Sequence, residues 1–439
     1  MTIGTKVTAL GERIDGVRGW RAHVLLLLVF AILAAPFVAD QATENTELSI
    51  LDEWQYLERV YQVSQGDPFM RNGEVLTEWA QDARTCRGIV RLGPPAPPPC
   101  REGEPFVVAN SAAADPPFYF VATGSVAGVL LKTGLVESPL IAGRLVGTLW
   151  AALSMWSLFL LARAMGAGGV ASFIVASCVL MVPGLLQQYT FITPHALDIP
   201  VGAFAALATL RFLRREWPWW TLVLAGLAVA GVKGSNLVIV VGLGVTLLSV
   251  IVWPKVFDRA DRLRALMGGA VLAGSTLGFT VLWMLVIKLT QVADPPPPGS
   301  YMVESLPLSR LLLDTVSLLG PYGEEELAIA SVWMMFLMAG SALAVWSGLA
   351  REQAPFVRQL GPGYLLGAAL GAVVLDLMVY LTTDQYIGIH FRYGLAIWPL
   401  GLAFAALILR TRTSQVIAVL ALIAYASTPY VLGMDSIIK

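Results

Sequence analysis

Apolar runs long enough to cross a bilayer recur along nearly the whole chain, and they constrain its fold more than any motif does. A hydrocarbon core about 30 Å thick takes roughly 20 helical residues to span. Of the 439 residues, 56% are hydrophobic and only 13% are charged. In lipid the backbone must satisfy its own hydrogen bonds, and runs of this length do so as helices. The reading is an all-α polytopic membrane protein whose single transmembrane unit covers 1–439. The first run, 20–39, follows Lys6, Arg13 and Arg18. No small-residue cleavage site follows it, so it reads as a retained anchor rather than a removed signal peptide. A net charge of -1 argues against a nucleic-acid partner, and leaves the placement of charge as the informative quantity.

Basic residues gather at Arg163, at Arg211, Arg214 and Arg215, over 255–264, at Arg351 and Arg358, and at Arg410 and Arg412. Helix ends that carry such clusters face the cytoplasm. Spans starting near Trp20, Leu140, Val170, Ala196, Trp219, Leu237, Leu266, Leu327, Tyr364, Tyr393 and Val416 give about eleven crossings with the amino terminus inside. The apolar stretch 117–135 breaks this parity. It is short, carries Lys132, and as a crossing would put every later basic cluster outside, so it reads as lying in the outer leaflet. Two large external loops result, 40–138 and 291–326, each with an amphipathic juxtamembrane helix. Arginine outnumbers lysine, which fits a GC-rich bacterial genome and hence a bacterial cytoplasmic membrane.

Three cysteines are present. Cys178 lies in an apolar span. Cys86 and Cys100 share the external Pro-rich loop, where a disulfide would contribute roughly 3 kcal/mol. No histidine lies between them, which makes metal binding the poorer reading. The second loop opens on a proline run at 295–298, a stiff spacer.

Ionisable groups in or beside spans are expensive and tend to face cavities. Asp52 and Glu53 follow the first span and open a helical pattern. They suit an acidic helix start on the bilayer surface, and equally a pair of carboxylates for acid–base work. His195 and Asp198 are three residues apart at the junction of two spans, and Asp198 could simply cap a helix. Lys233, within Gly231-Val232-Lys233-Gly234-Ser235-Asn236, could snorkel to the interface or bind an anion. Arg392, between His390 and Tyr393, has the fork geometry that phosphate needs. On this topology all of them reach the same, external, face.

In sequence, Asp52-Glu53, Asp115-Pro116-Pro117-Phe118-Tyr119, Ala142-Gly143-Arg144-Leu145, the segment from Thr190 to Asp198, and Val232-Lys233-Gly234 together resemble the GT-C superfamily of membrane glycosyltransferases. These enzymes use polyprenyl-phosphate-linked sugars. Gly388-Ile389-His390-Phe391-Arg392-Tyr393 is similar to a late element of a bacterial GT-C-like family of unknown function. The resemblance implies a GT-C-like bundle and Asp52 as the base that deprotonates an acceptor hydroxyl. It implies Lys233 and Arg392 on the donor phosphate, and Asp198 in a second acidic element, with Glu53 positioning the site or touching acceptor. Lys132 and Arg144 are the further candidate cations. Two departures stand out. Gln55 and Tyr56 occupy the place where some members have arginine, and Asp115-Pro116-Pro117 stands where some have Glu-Lys-Pro, which leaves first-loop phosphate contacts and a divalent metal as open alternatives.

A lipid-phosphate sugar brings an activated anomeric carbon, so one base and cations on the leaving phosphate suffice for inversion. The acceptor would be a glycan, lipid or protein hydroxyl. A lipid-linked sugar flippase is the competing reading. It would show internal repeats and midplane charges, neither of which is visible in the sequence.

Overall fold

A computed structural model describes residues 19–49, 52–89, 110–293, 308–319, 328–349, 353–383, 386 and 388–431. Cys100 and the proline run at 295–298 lie outside the described residues. Among the described residues the chain is helical, with an isolated bridge between Leu48 and Ile89 and no strand. This meets the all-α expectation.

The chain opens with α1 (Trp20–Glu44), and the first loop contributes α2 (Glu53–Gln65), α3 (Glu78–Arg87) and α4 (Phe118–Lys132). A bundle follows: α5 (Pro139–Leu145), α6 (Gly147–Met165), α7 (Gly169–Met181), α8 (Pro183–Thr190), α9 (Asp198–Leu213), α10 (Trp220–Val232), α11 (Leu237–Val252) and α12 (Arg259–Thr290). After α13 (Leu308–Leu319) come α14 (Ala328–Trp346), α15 (Pro355–Thr383), α16 (Trp398–Ile408) and α17 (Arg412–Val431). Among the described residues six spans are long and apolar enough to cross a membrane, and the pair α7–α8, bent by 72°, makes a seventh if it counts as one. The other expected crossings fall on the shorter apolar helices, of which Phe118–Lys132 is also one.

Burial sorts these helices. Along α1, Leu26, Phe30, Ala34, Val38 and Ala42 recur every fourth residue and face inward, while Leu25, Leu28 and Ile32 are exposed. A helix apolar on both faces belongs beside lipid. The same holds for α12, where Leu277, Val281, Leu285 and Leu289 are exposed. At the centre, α6, α9 and α16 are buried on nearly every side. The protein is thus membrane-embedded, with lipid-facing helices around a close-packed core.

Breaks in the helices have local causes. Val182, ahead of Pro183, is extended (φ -93°, ψ 111°), the region a following proline favours, and α7 ends there. Lys233 is extended as well (φ -161°, ψ 145°), and separates α10 from the 3₁₀ turn Gly234–Asn236 and α11. Further 3₁₀ turns, Pro194–Leu197 and Phe391–Gly394, precede α9 and α16.

Two expectations about juxtamembrane helices are corrected in part. Rather than lying open on a surface, α2 is enclosed, with Glu53, Gln55, Glu58 and Arg59 all buried. Its polar face finds partners in the loop that folds over it. Glu58 accepts from the Thr77 amide (2.8 Å) and from Asn110 Nδ2 (2.9 Å). Likewise α13 is clamped to the late segment: Asp314 accepts from Tyr386 Oη (2.6 Å) and the Ile389 amide (3.3 Å), and Leu318 O accepts from Trp398 Nε1 (3.0 Å). An amphipathic period shows that one face is polar; it does not distinguish water from a polar partner. Cys86 is disulfide-bonded, and Cys178 is buried and free.

Close approach of the backbone sets the position of the late segment. A Cβ on Gly202 of α9 would lie 1.8 Å from Ala396 O, so only glycine allows this contact. Gly202→Ala is expected to cost at least about 1–3 kcal/mol through overpacking. Gly278→Ala, with nothing within 4 Å of the new Cβ, should be neutral or slightly stabilising. Thermal unfolding of both variants in nanodiscs checks this; equal midpoints would show that the α9 contact is not rigid.

Candidate active site

Two side chains lock the first loop to the bundle. Glu53, fully buried, accepts Arg144 Nε on Oε1 (2.8 Å) and Arg144 Nη2 on Oε2 (2.7 Å). Its oxygens also accept the backbone amides of Ile192 (3.0 Å) and Ser49 (2.8 Å). Arg144 also donates to Asn45 O (2.5 Å) and Glu47 O (2.8 Å), and its guanidinium lies 5.0 Å from the Phe191 ring centroid. With four donors on two oxygens, Glu53 is satisfied by the protein itself. The geometry gives it, with Arg144, a positioning role.

Asp52, one residue earlier, is placed quite differently. Its backbone is left-handed (φ 61°, ψ 20°), uncommon for any residue but glycine. Its side chain does not cap α2, which removes the reading of Asp52 as a helix cap. The carboxylate accepts no hydrogen bond from the described residues, and its Oδ2 lies 3.9 Å from Arg392 Nη2. Asp52 has 41% of its side chain exposed and Arg392 13%. Burial by surrounding protein nevertheless raises the Asp52 pKa above its ordinary value; Arg392 and then Lys233 pull it back, and Asp115 adds to the rise. Desolvation is thus the largest effect on this carboxyl.

Beside it lies a second cluster. Lys233, buried, donates to Tyr56 Oη (3.0 Å) and to Asp115 Oδ2 (3.2 Å). Tyr56 lies in the first turn of α2, four residues after Asp52. Arg59, three further on, is buried with its guanidinium 4.0 Å from the Phe120 ring centroid; it donates to Asp115 O (2.7 Å) and to Ala112 O. Arg59 thus holds the 111–115 backbone, which presents Asp115 to Lys233. An ammonium has three donors, and these contacts use two of them.

The third group comes from α9 and the late turn. His195 Nδ1 lies 2.6 Å from Asp198 Oδ2, both fully buried. His195 Nε2 has no hydrogen-bond partner among the described residues. The His195 ring meets the Tyr393 ring edge-on at 5.5 Å, and Arg392 Nη2 donates to Tyr393 Oη (3.3 Å). That is the sole side-chain hydrogen bond of Arg392 among the described residues, and its Nε is buried without one.

Asp52, Asp115, Lys233, Arg392, Tyr393, His195 and Asp198 are therefore brought together. Lys132, exposed at the far end of α4, is not; His390 stands exposed just ahead of the late turn, near enough to Arg392 to feel its charge. Tyr56 and Arg59 were missed as site residues. Their spacing from each other was the available signal, since positions three apart along a helix share a face. No group of three or more His, Cys, Asp or Glu side chains among the described residues could hold a metal ion. Asp115 is already bound by Lys233 and Asp52 is faced by Arg392, so the carboxylates present fit cations of the protein better than a metal.

Removing one member of the buried pair leaves the other charge uncompensated. Arg144→Ala is expected to destabilise the fold by about 3–5 kcal/mol, and an apolar replacement of both Glu53 and Arg144 by much less. Unfolding midpoints of the single and double variants decide it; equal losses would mean that the clasp matters through its backbone contacts and not through paired charge.

No protein-family model and no curated protein matches the chain. Among solved structures, it is similar to the crystal structure of ArnT from Cupriavidus metallidurans bound to undecaprenyl phosphate, with 15% sequence identity and a TM-score of 0.49. The likeness covers 93% of this chain, which spans 64% of the length of that one.

Proposed function

We propose that the protein is a glycosyltransferase that moves a monosaccharide from a polyprenyl-phosphate donor to a hydroxyl acceptor, at the external face of the bacterial cytoplasmic membrane. The observation that carries this reading is the pairing of an unbonded Asp52 carboxylate, in a strained backbone position, with the Arg392 guanidinium 3.9 Å away. Strain at a solvent-accessible carboxylate, held by its surroundings, is a common mark of a functional position. The external placement rests on the basic clusters at the opposite helix ends.

The chemistry needs one base and a stabilised leaving group. The acceptor oxygen attacks the anomeric carbon and loses its proton to the Asp52 carboxylate. The bond from that carbon to the phosphate oxygen breaks, and the leaving lipid phosphate takes up negative charge. Arg392, with most of its donors unused, and Lys233, with one donor left, meet that charge. Attack opposite the leaving group inverts the anomeric centre. A raised Asp52 pKa makes it a stronger proton acceptor once ionised. His195 and Asp198, behind Tyr393, orient the late turn that carries Arg392.

Asp52→Asn keeps the shape and removes the base, so transfer in reconstituted membranes should fall at least about a hundredfold while lipid-phosphate binding persists. Full activity would sink the assignment, and lipid-linked sugar movement across the membrane without transfer would mark a flippase instead.

The acid limb of the pH profile reports the same carboxylate. Transfer should be lost as pH falls through the raised Asp52 pKa. Because Arg392 lowers that pKa, Arg392→Ala should shift the limb to higher pH as well as weaken lipid-phosphate binding. A limb that stays in place, or moves to lower pH, would separate Asp52 from Arg392.

A further inference from the structure

A cavity of about 410 Å³ lies between the loop after α2 and the last turns of α12, within the size range of roughly 300–1,000 Å³ usual for small-ligand sites. We propose that it binds a neutral saccharide and serves as the acceptor subsite; the acceptor role, though not the binding, rests on the transferase reading above.

The lining fits the two kinds of surface a sugar ring presents. Phe69, 66% exposed, and Trp283 offer aromatic faces, while Asp67, Arg71, Asn72 and Glu74 offer donors and acceptors. A pyranose or furanose has one face of C–H groups for an aromatic ring and a rim of hydroxyls that both donate and accept. Arg71 Nε donates to Glu74 Oε1 (2.8 Å) in a pair that is partly exposed. With Asp67 and Glu74 against a single arginine, the lining repels phosphate and carboxylate, which favours a neutral sugar.

The cavity is built in advance of any ligand. The Val292 amide donates to Asn72 O (2.9 Å), and the Asn110 amide donates to Glu74 O (2.8 Å). Gly73 adopts φ +88°, and a Cβ there would meet Ala293 O at 2.4 Å, so the loop lies directly on the chain leaving α12. Such ties reduce the ordering cost of binding.

Its wall is also shared with the site. Ala113 lines the cavity, and Trp283 Nε1 donates to Ala114 O (3.0 Å). The next residue, Asp115, is the one that pairs with Lys233. A saccharide seated on Trp283 therefore touches the segment that borders the reacting groups.

The test uses the full chain in nanodiscs with neutral trisaccharides of glucose, galactose, mannose and arabinose as probes, read by saturation transfer from aromatic protons, with undecaprenyl phosphate binding measured separately. At least one trisaccharide should bind, should weaken at least tenfold in Phe69→Ala, and should recover in Phe69→Trp. Phe69 is exposed, so the variant should fold. Undecaprenyl phosphate should bind Phe69→Ala as it binds the parent. Binding of none of the trisaccharides, or equal binding by Phe69→Ala, overturns the subsite. Loss of undecaprenyl phosphate in that variant overturns it too, and assigns the cavity to the lipid. If the parent binds trisaccharide through Phe69 but no undecaprenyl phosphate, the transferase reading fails while the saccharide site stands.

Discussion

The buried fork between Glu53 and Arg144 is the interaction on which the rest of the arrangement depends. Two charges this deep are tolerable only because every polar atom of the carboxylate and most of the guanidinium are hydrogen-bonded. Their partners come from separate parts of the chain: the end of α1, the start of α2, α5, and the strand of backbone at Ile192 that leads to His195. Fixing Glu53 fixes the residue before it. Asp52 is thereby held in its left-handed conformation, with no side-chain cap on the helix it precedes.

The bundle's half of the site comes from interruptions in its helices. Lys233 stands at the break between α10 and α11, His195 on the turn before α9, and Arg392 on the turn before α16. Irregular backbone at membrane depth persists only where protein or a wet cavity covers it. Each break gives a polar side chain access to the shared space, and each sits where helices on either side are well packed. Gly202 and Trp398 fasten the late turn in the same way: one lets α9 approach Ala396, the other ties α16 to α13.

The first loop connects the two halves. Arg59 and Asn110 fold the 110–115 segment onto α2, and that segment delivers Asp115 to Lys233 on one side and borders the aromatic cavity on the other. A helix that reads as a surface element is in this way the central post of the site, since its charged residues are satisfied by protein and not by water.

Apolar runs and basic clusters in the sequence already determined the class of protein and the places where helices run, because bilayer thickness and backbone hydrogen bonding leave few alternatives. Asp52, Lys233, Arg392, His195 and Asp198 were legible as candidates, since charge next to lipid is costly enough to need a reason. What only the tertiary structure decided is the division of labour among them. Glu53 opens α2 while Asp52, just before it, is left-handed, so the two carboxylates, alike in the sequence, end in a closed clasp and an open cluster. Tyr56 and Arg59 gained their parts from partners more than fifty residues away, and Lys132 lost its part because α4 carries it to the far end. Spacing along a chain tells which face a residue shares; what that face meets is settled by packing.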